Sequence, residues 1–292
     1  NLSLAYLAAA DELLAPLAPA VVPTVAEVEA GVESERQRLS YTPQGRAMQD
    51  RGANLTDIAR DNVREELRLH AAEGKRIYAT PESLGRVFAE PNADITFDKL
   101  WKAQISLWVI GDVLGAINDV NLDATEGLSD RDVRVSRSAV RILEYMAVNE
   151  AYAVPVQGRP VDTVTQRGCN QQYDVVHYTF SVVMPLSYVP ELEEALMSRN
   201  YHTVLNATME RFISPPGSVY ELGHEPLMRV TFQGELLLLA SWERGTLGKV
   251  DWDGVMVDGW VSPPLMPSDV LRSLPKQALR ETDQKGLSGQ TP

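Results

Sequence analysis

The stretch "YDVVHYTFSVVMPLSYVPELEEALMSRNYHTVLNATMERF" runs from Tyr173 to Phe212 and holds His177 and His202, two of the chain's four histidines. Its reading decides between a metal or catalytic pair and a plain strand–helix–strand unit. Val176, Tyr178, Phe180, Val182 and Met184 share one parity, and Tyr173, Val175, His177, Thr179 and Ser181 share the other. Alternation of this kind predicts a strand with one apolar face, and it sets His177 on the mixed face. The next segment, "SYVPELEEALMSRN", reads as a helix with Ser187 as a cap and Leu192, Ala195 and Leu196 inward. Alternation then resumes, with Tyr201, Thr203, Leu205, Ala207 and Met209 opposed to His202, Val204, Asn206, Thr208 and Glu210, so His202 is expected on the polar side.

Working outward, "LMRVTFQGELLLLASW" reads as a further strand with Met228, Val230 and Phe232 in and Arg229, Thr231 and Gln233 out. Before the opening stretch, Val140, Ile142, Met146 and Val148 alternate against Arg141, Tyr145 and Asn149. A helix from about Phe97 to Val120 presents Trp101, Ile105, Trp108, Ile110, Val113, Leu114 and Ile117 over a face wide enough to lie on a sheet. The order from about 95 to 242 is therefore helix, strand, strand, helix, strand, strand. One αββ unit leaves a sheet face unburied, and two can close a four-stranded antiparallel sheet with both helices on one side. The expected fold class is α+β: N-terminal helices followed by a duplicated αββ domain, a circularly permuted ferredoxin-like arrangement.

The expected organisation is a helical or coiled region over 1–92, the αββαββ domain over 93–243, and an extension with a flexible tail over 244–292. In the first region Thr24 and Glu27 have capping-box spacing. Leu55, Ile58, Ala59, Val63, Leu67 and His70 form a narrow apolar stripe that needs either another helix of the chain or a second chain. His70 reads as a packed residue of that stripe.

Composition limits the function classes. Twenty-seven Lys and Arg stand against 40 Asp and Glu, and the net charge of −13 opposes attraction to phosphate backbones and anionic lipid. The expectation is no nucleic-acid partner. Cys169 is the single cysteine, read as a free thiol in a loop, which excludes an intrachain disulfide. The most apolar run, Ile105 to Ile117, is interrupted by Asp112 and two glycines and reads as too short for a bilayer.

Nucleotide-binding, nucleophile-elbow and zincin motifs do not occur. The acidic runs "DVNLDATEG" from Asp119 and "DWDGVMVDG" from Asp251 have a calcium-loop start but read as solvated turns, since the first has Ala124 where a calcium loop needs glycine. His177 and His202 read as surface histidines on a half-exposed sheet. If the protein were instead a metal-dependent or small-molecule enzyme or sensor, they and Tyr178 would be its first suspects. No catalytic residue, metal or cofactor is expected. Trp242, Trp252 and Trp260 read as a cluster that covers the sheet or anchors a partner, beside a strand that ends in "LLLL" and includes Leu237 and Leu239.

The helix-plus-αββ pattern resembles the periplasmic parts of type IV pilus inner-membrane assembly proteins of the PilN and PilO kind, and the related type II secretion subunits. The strings "QISLWVIGDVLGAINDVN", "SAVRILEYMAV", "QYDVVHYTFSVVM", "YHTVLNATMERF", "LMRVTFQGELLLL" and "PLMP" are similar to PilO-like envelope proteins of planctomycetes and Akkermansia, over roughly 95–267. The resemblance implies a non-enzymatic envelope-assembly subunit in the periplasm, with a membrane anchor upstream of Asn1. It also implies pairing with itself or a homologous subunit. Interface candidates are then Leu55, Ile58, Val63 and Leu67 on the helices, and Leu237, Leu239, Trp242, Trp252 and Trp260 at the sheet and extension.

Overall fold

A computed structural model describes residues 9–21, 23–72, 74–85, 97–129, 132–150, 152–153, 163–213, 222–252, 255–262, 265–274, 276–280 and 283–284. After a short helix α1 (9–14) come α2 (Val25–Tyr41), α3 (Pro43–Asp50), α4 (Leu55–Ala72) and α5 (Phe97–Ala124). The strands β3 (Ile142–Glu150) and β4 (Tyr173–Pro185), helix α6 (Val189–Arg199), and strands β5 (His202–Arg211) and β6 (Leu227–Leu239) follow. A hairpin of β7 (Thr246–Trp252) and β8 (Val255–Ser262) and helix α7 (Ser268–Ser273) complete it. The protein is α+β.

Its main sheet departs from the expected four antiparallel strands. It is six-stranded and mixed, in the order β1-β2-β3-β4-β6-β5, because two short strands from the N-terminal region, β1 (Pro19–Ala20) and β2 (Ile77–Tyr78), add in parallel beside β3. The pairings of β3 with β4, β4 with β6 and β6 with β5 are all antiparallel. β4 is central and covered on both faces, with Val175, Val176, Val182 and Val183 all fully buried.

The main core lies between the sheet and α5. Ile105, Val109, Val113, Ala116 and Ile117 of α5 join Val176, Tyr178, Phe180, Val182 and Met184 of β4, Val230 and Phe232 of β6, and Leu192 and Leu196 of α6. By length and composition Leu100–Ala124 could cross a membrane, at mean hydropathy 1.3, but half of that window is buried inside the protein. The same core takes Leu14, Leu17, Ile77 and Leu84 from the N-terminal region, and Met266, Val270, Leu271, Leu274 and Leu279 from the C-terminal one. The first residues of the expected flexible tail are thus packed: Ala278 and Leu279 are buried, as is Asp283.

Two bulges redirect side chains that strict alternation places elsewhere. Between Leu143 and Tyr145 the β3 register shifts, so Leu143 and Met146 enter the main core, whereas Ile142 packs in a smaller cluster with Val135, Val183, Leu222 and Leu227. Between Val204 and Asn206 the β5 register shifts too, and Val204 and Ala207 both pack on the main core. His202 shares a side with Val204, which places it inward rather than on the polar face. Arg141, expected outward, is 1% exposed and donates to the carbonyls of Ser138 and Leu222 and to Glu225. The loop expected from Asp119 is helical as far as Ala124, and Asp251 lies in a strand, paired with Met256.

The N-terminal helices pack on one another. Thr24 and Glu27 form the expected capping box, in which Thr24 Oγ1 accepts from the Glu27 amide at 3.3 Å and Glu27 accepts from the Thr24 amide at 2.7 Å. Val28, Val32 and Leu39 of α2 meet Ala59 and Val63 of α4, with Ile58 and Leu67 at the margin. Gly31 lets the helices approach, since a Cβ there would lie 2.8 Å from Val63. The His70 side chain lies outside the described residues.

Two outcomes follow. Val63→Glu places an uncompensated charge in this contact, and chemical denaturation is expected to show a loss of more than about 3 kcal/mol. A fragment starting at residue 93 lacks Leu14, Leu17, Ile77 and Leu84, and its thermal unfolding is expected to be weakly cooperative or absent; a sharp transition near that of the whole chain would contradict the shared core.

Candidate interaction surface

β5 pairs with β6 on one side, and among the described residues no strand pairs with its other side. The opposite edge of the sheet is occupied by β2 and β1. Asn206, Thr208, Met209, Glu210 and Arg211 of β5 are exposed. A free strand edge presents unpaired amides and carbonyls, and the charges and bulge in β5 are features that restrain indiscriminate pairing.

Where β5 begins, Tyr201 is 53% exposed and its ring lies 5.8 Å from that of Trp242, which is 47% exposed. Leu237 donates its amide to the Tyr201 carbonyl at 3.1 Å, and Leu237 and Leu239 are half-buried. Leu265, 59% exposed, donates its amide to the Glu243 carbonyl beside this group. Tyr201, Trp242 and Leu265 therefore form a half-exposed apolar rim at one end of the sheet. Trp252 and Trp260 belong to β7 and β8, and their side chains lie outside the described residues. Of the helical candidates, Leu55 and Val63 are buried and Ile58 and Leu67 partly so within the chain.

The two histidines do not meet. His202 has a fully buried side chain; its Nδ1 lies 2.8 Å from the Tyr178 hydroxyl and its Nε2 3.0 Å from Asp112 Oδ2. The Tyr178 hydroxyl as donor and Nε2–H as donor to the carboxylate satisfy all three groups. Asn200 also donates to Asp112, at 2.8 Å. Burial pushes the Asp112 carboxyl up, but hydrogen bonds from His202 and Asn200 and the charges around it outweigh that and hold it below the usual value. Gly234 makes room for the Tyr178 ring, since a Cβ there would sit 2.4 Å from it. His177 is on the opposite face, 9% exposed, with Nε2 4.0 Å from Glu235, whose buried carboxylate takes a 2.6 Å contact from Arg167 and a 2.7 Å hydrogen bond from Thr165. Both histidines are thus buried, contrary to the expected surface positions. Among the described residues no group of three or more His, Cys, Asp or Glu side chains is placed to hold a metal ion.

A second buried polar cluster escaped the sequence reading. The fully buried Arg244 guanidinium clasps Asp174 through two nitrogens and donates to the Ala278 carbonyl at 2.6 Å, with Asp283 3.5 Å away. Arg280 closes the group by binding Asp283 at 2.7 Å. The clasp ties the start of β4 to the C-terminal segment. Glu243, 2% exposed, accepts from Tyr152, and burial and then the adjacent Asp174 charge push its carboxyl up to about 9. Cys169 is free and buried in its loop, and burial raises its thiol. Asp174 is the member of this cluster that the sequence could have flagged, since it shares the parity of Val176, Tyr178 and Phe180 and is an acid among apolar residues.

Comparison with family models, with curated proteins and with solved structures returned no match.

Glu243 gives a pH test. A carboxyl raised in the folded state contributes its stability below the unfolded value near 4.5 and loses it as pH rises towards about 9. Glu243→Gln keeps an acceptor for Tyr152 and removes the ionisation, so denaturant titrations are expected to show the variant gaining on the wild type between pH 5 and 9. Asp112→Asn, with its opposite shift, is expected to lose stability at neutral pH and to approach the wild type at acid pH.

Proposed function

We propose that this chain is a non-enzymatic assembly subunit of a cell-envelope complex of the type IV pilus or type II secretion kind, working by pairing with itself or a homologous subunit. The observation that carries the reading is the strand order. An αββαββ chain made by moving the first strand of a ferredoxin-like domain to its end requires its four strands in the order first, second, fourth, third, and β3-β4-β6-β5 is that order. In this reading β1 and β2 are additions to a duplicated αββ core. The location is periplasmic, and the PilO-like resemblance assigns the membrane attachment to a segment upstream.

The free β5 edge and the rim of Tyr201, Trp242 and Leu265 are suited to this role, with Leu237 and Leu239 beside them. Strand addition to such an edge supplies main-chain hydrogen bonds, and half-exposed aromatic residues supply anchors. Of the helical candidates, Ile58, Val63 and Leu67 serve the chain's own α2–α4 contact in this reading, and Leu55 is buried within the chain. The enzyme alternative would draw on His177, His202 and Tyr178, which are divided between two faces of the sheet.

Asn206→Lys together with Thr208→Lys adds charge at exposed edge positions without touching the core. Cross-linking of the full chain to copies of itself or to a homologous ferredoxin-like subunit is expected to fall at least about tenfold in this variant, with the melting temperature unchanged. Stoichiometric zinc or iron in the purified protein, lost in both His177→Ala and His202→Ala, would overturn the reading.

A further inference from the structure

The run "ASWERG" that follows β6 puts an acid next to a base, Glu243 and Arg244, in and just after the helical turn Ala240–Glu243. Both side chains are buried, and a buried charge needs a partner of opposite sign. Arg244 has Asp174 through two nitrogens and Asp283 at 3.5 Å, and Arg280 also holds Asp283, at 2.7 Å. These two guanidinium groups are thus matched by two carboxylates. Glu243 is a third carboxyl, beside Asp174. Its Oε1 lies 3.4 Å from the Tyr152 hydroxyl, and its buried Oε2 has no hydrogen-bond donor among the described residues. One proton removes both mismatches, because it cancels the surplus charge and gives Glu243 a donor for the Asp174 carboxylate. Glu243 is its carrier, since Asp174 already has the guanidinium.

The same turn holds the C-terminal segment. The Glu243 carbonyl accepts from the amides of Leu265 and Met266, both at 2.8 Å, Arg244 reaches the Ala278 carbonyl at 2.6 Å, and Arg280 donates to the Arg244 carbonyl at 3.1 Å. Met266, Val270, Leu271, Leu274 and Leu279 add apolar contact with the main core. Among the described residues the segment gives no strand to the main sheet. Asp174, in contrast, is fixed in the central strand β4, opposite Leu238 of β6. Of the two adjacent carboxyls, Glu243 is the one on the part that can leave.

We propose that Glu243 and Asp174 share a single proton and that this proton latches the C-terminal segment onto the fold. The opening step is an acid dissociation: the Glu243 O–H bond breaks, the proton goes to water and the electron pair stays on the carboxylate. Two adjacent carboxylates then compete for Arg244. Hydrating the new charge moves the Ala240–Glu243 turn outward, and the turn takes the Leu265 and Met266 amides with it. The pairings of β3, β4, β6 and β5 do not pass through the turn, so the main sheet stays folded. The other titratable groups against Glu243 are Tyr152, after β3, and Cys169, before β4. Burial raises both above their ordinary values, so the Glu243 carboxyl, pushed up to about 9, ionises before either.

A carboxyl that ionises near 4.5 when hydrated and near 9 when latched makes opening more frequent as pH rises between those values, by at most about tenfold per unit, and level beyond them. Limited trypsinolysis of the full chain reads the segment directly, since Arg272, Lys276 and Arg280 lie in it. Normalised to trypsin's rate on a small peptide at each pH, cleavage at these three sites is expected to rise by about tenfold or more from pH 6 to pH 9, while the far-UV circular dichroism of the sheet is unchanged. Glu243→Gln keeps a neutral side chain with a donor for Asp174, and is expected to hold cleavage at the pH 6 level throughout. The wild-type profile stands by itself should that variant fail to fold: cleavage that stays flat to pH 9 overturns the latch. A rise that persists undiminished in folded Glu243→Gln assigns the titration to another group and overturns it too, as does a loss of sheet signal in step with cleavage, which is global unfolding.

Discussion

Laying a long apolar helix under a sheet leaves its polar residues without water, and the way α5 meets that constraint organises the protein. Asp112 and Gly115 interrupt its apolar run where α6 and β5 must join it. Asp112 receives His202 and Asn200, and Gly115 leaves space for the Arg199 guanidinium, which reaches Asp119 one turn on. Nearer the C-terminus, the buried Asn121 amide exchanges two hydrogen bonds with the backbone of Val140, at 3.1 and 2.6 Å, and so fixes the entry to β3. A buried polar group left unpaired costs about 1–3 kcal/mol, so the contacts of buried His202 with Asp112 and of buried Asn121 with Val140 help fix one arrangement of helix and sheet, while the Arg199–Asp119 pair lies at the surface. Asp112 and Gly115, which interrupt the apolar run in the sequence, are the positions through which α5 receives β5 and α6.

The His202 joint shows how a local backbone irregularity sets chemistry. Without the shift near Leu205, Val204 and Ala207 would fall on opposite faces, and the inward half of β5 would be inconsistent along its length. With it, His202, Val204 and Ala207 all address the core, and the imidazole reaches a phenol and a carboxylate at once. The phenol fits because position 234 of the neighbouring strand is glycine.

Much of the architecture was legible in the sequence because period and parity report burial directly where strands are regular. The inward sets of β4 and β6 follow from alternation alone, and Thr24 with Glu27 gave the start of α2. The failures have a common cause. Alternation assumes an unbroken ladder and an exposed polar face, and both assumptions fail here: β3 and β5 are bulged, and His177, Glu235 and Arg141 are buried among polar partners contributed by distant loops. Arg244 and Glu243 gave no signal, because a buried ion pair is recognised only when Asp174, 70 residues away in sequence, is seen to face it. The short strands β1 and β2 are two residues each, too brief for any period to register.

Those short strands and the Arg244 clasp have one further consequence for how the surfaces can work. The N-terminal region reaches the sheet through β1 and β2, and the C-terminal segment reaches the same core through Arg244, Asp174 and Asp283. The β3 edge is therefore closed by the chain itself, and the base of the β7–β8 hairpin is fixed one residue beyond the clasp. Among the described residues the β5 edge stays open, with the Tyr201–Trp242 pair lying where β5 starts. An approach to that end of the sheet leaves the α2–α4 contact and the buried polar clusters undisturbed.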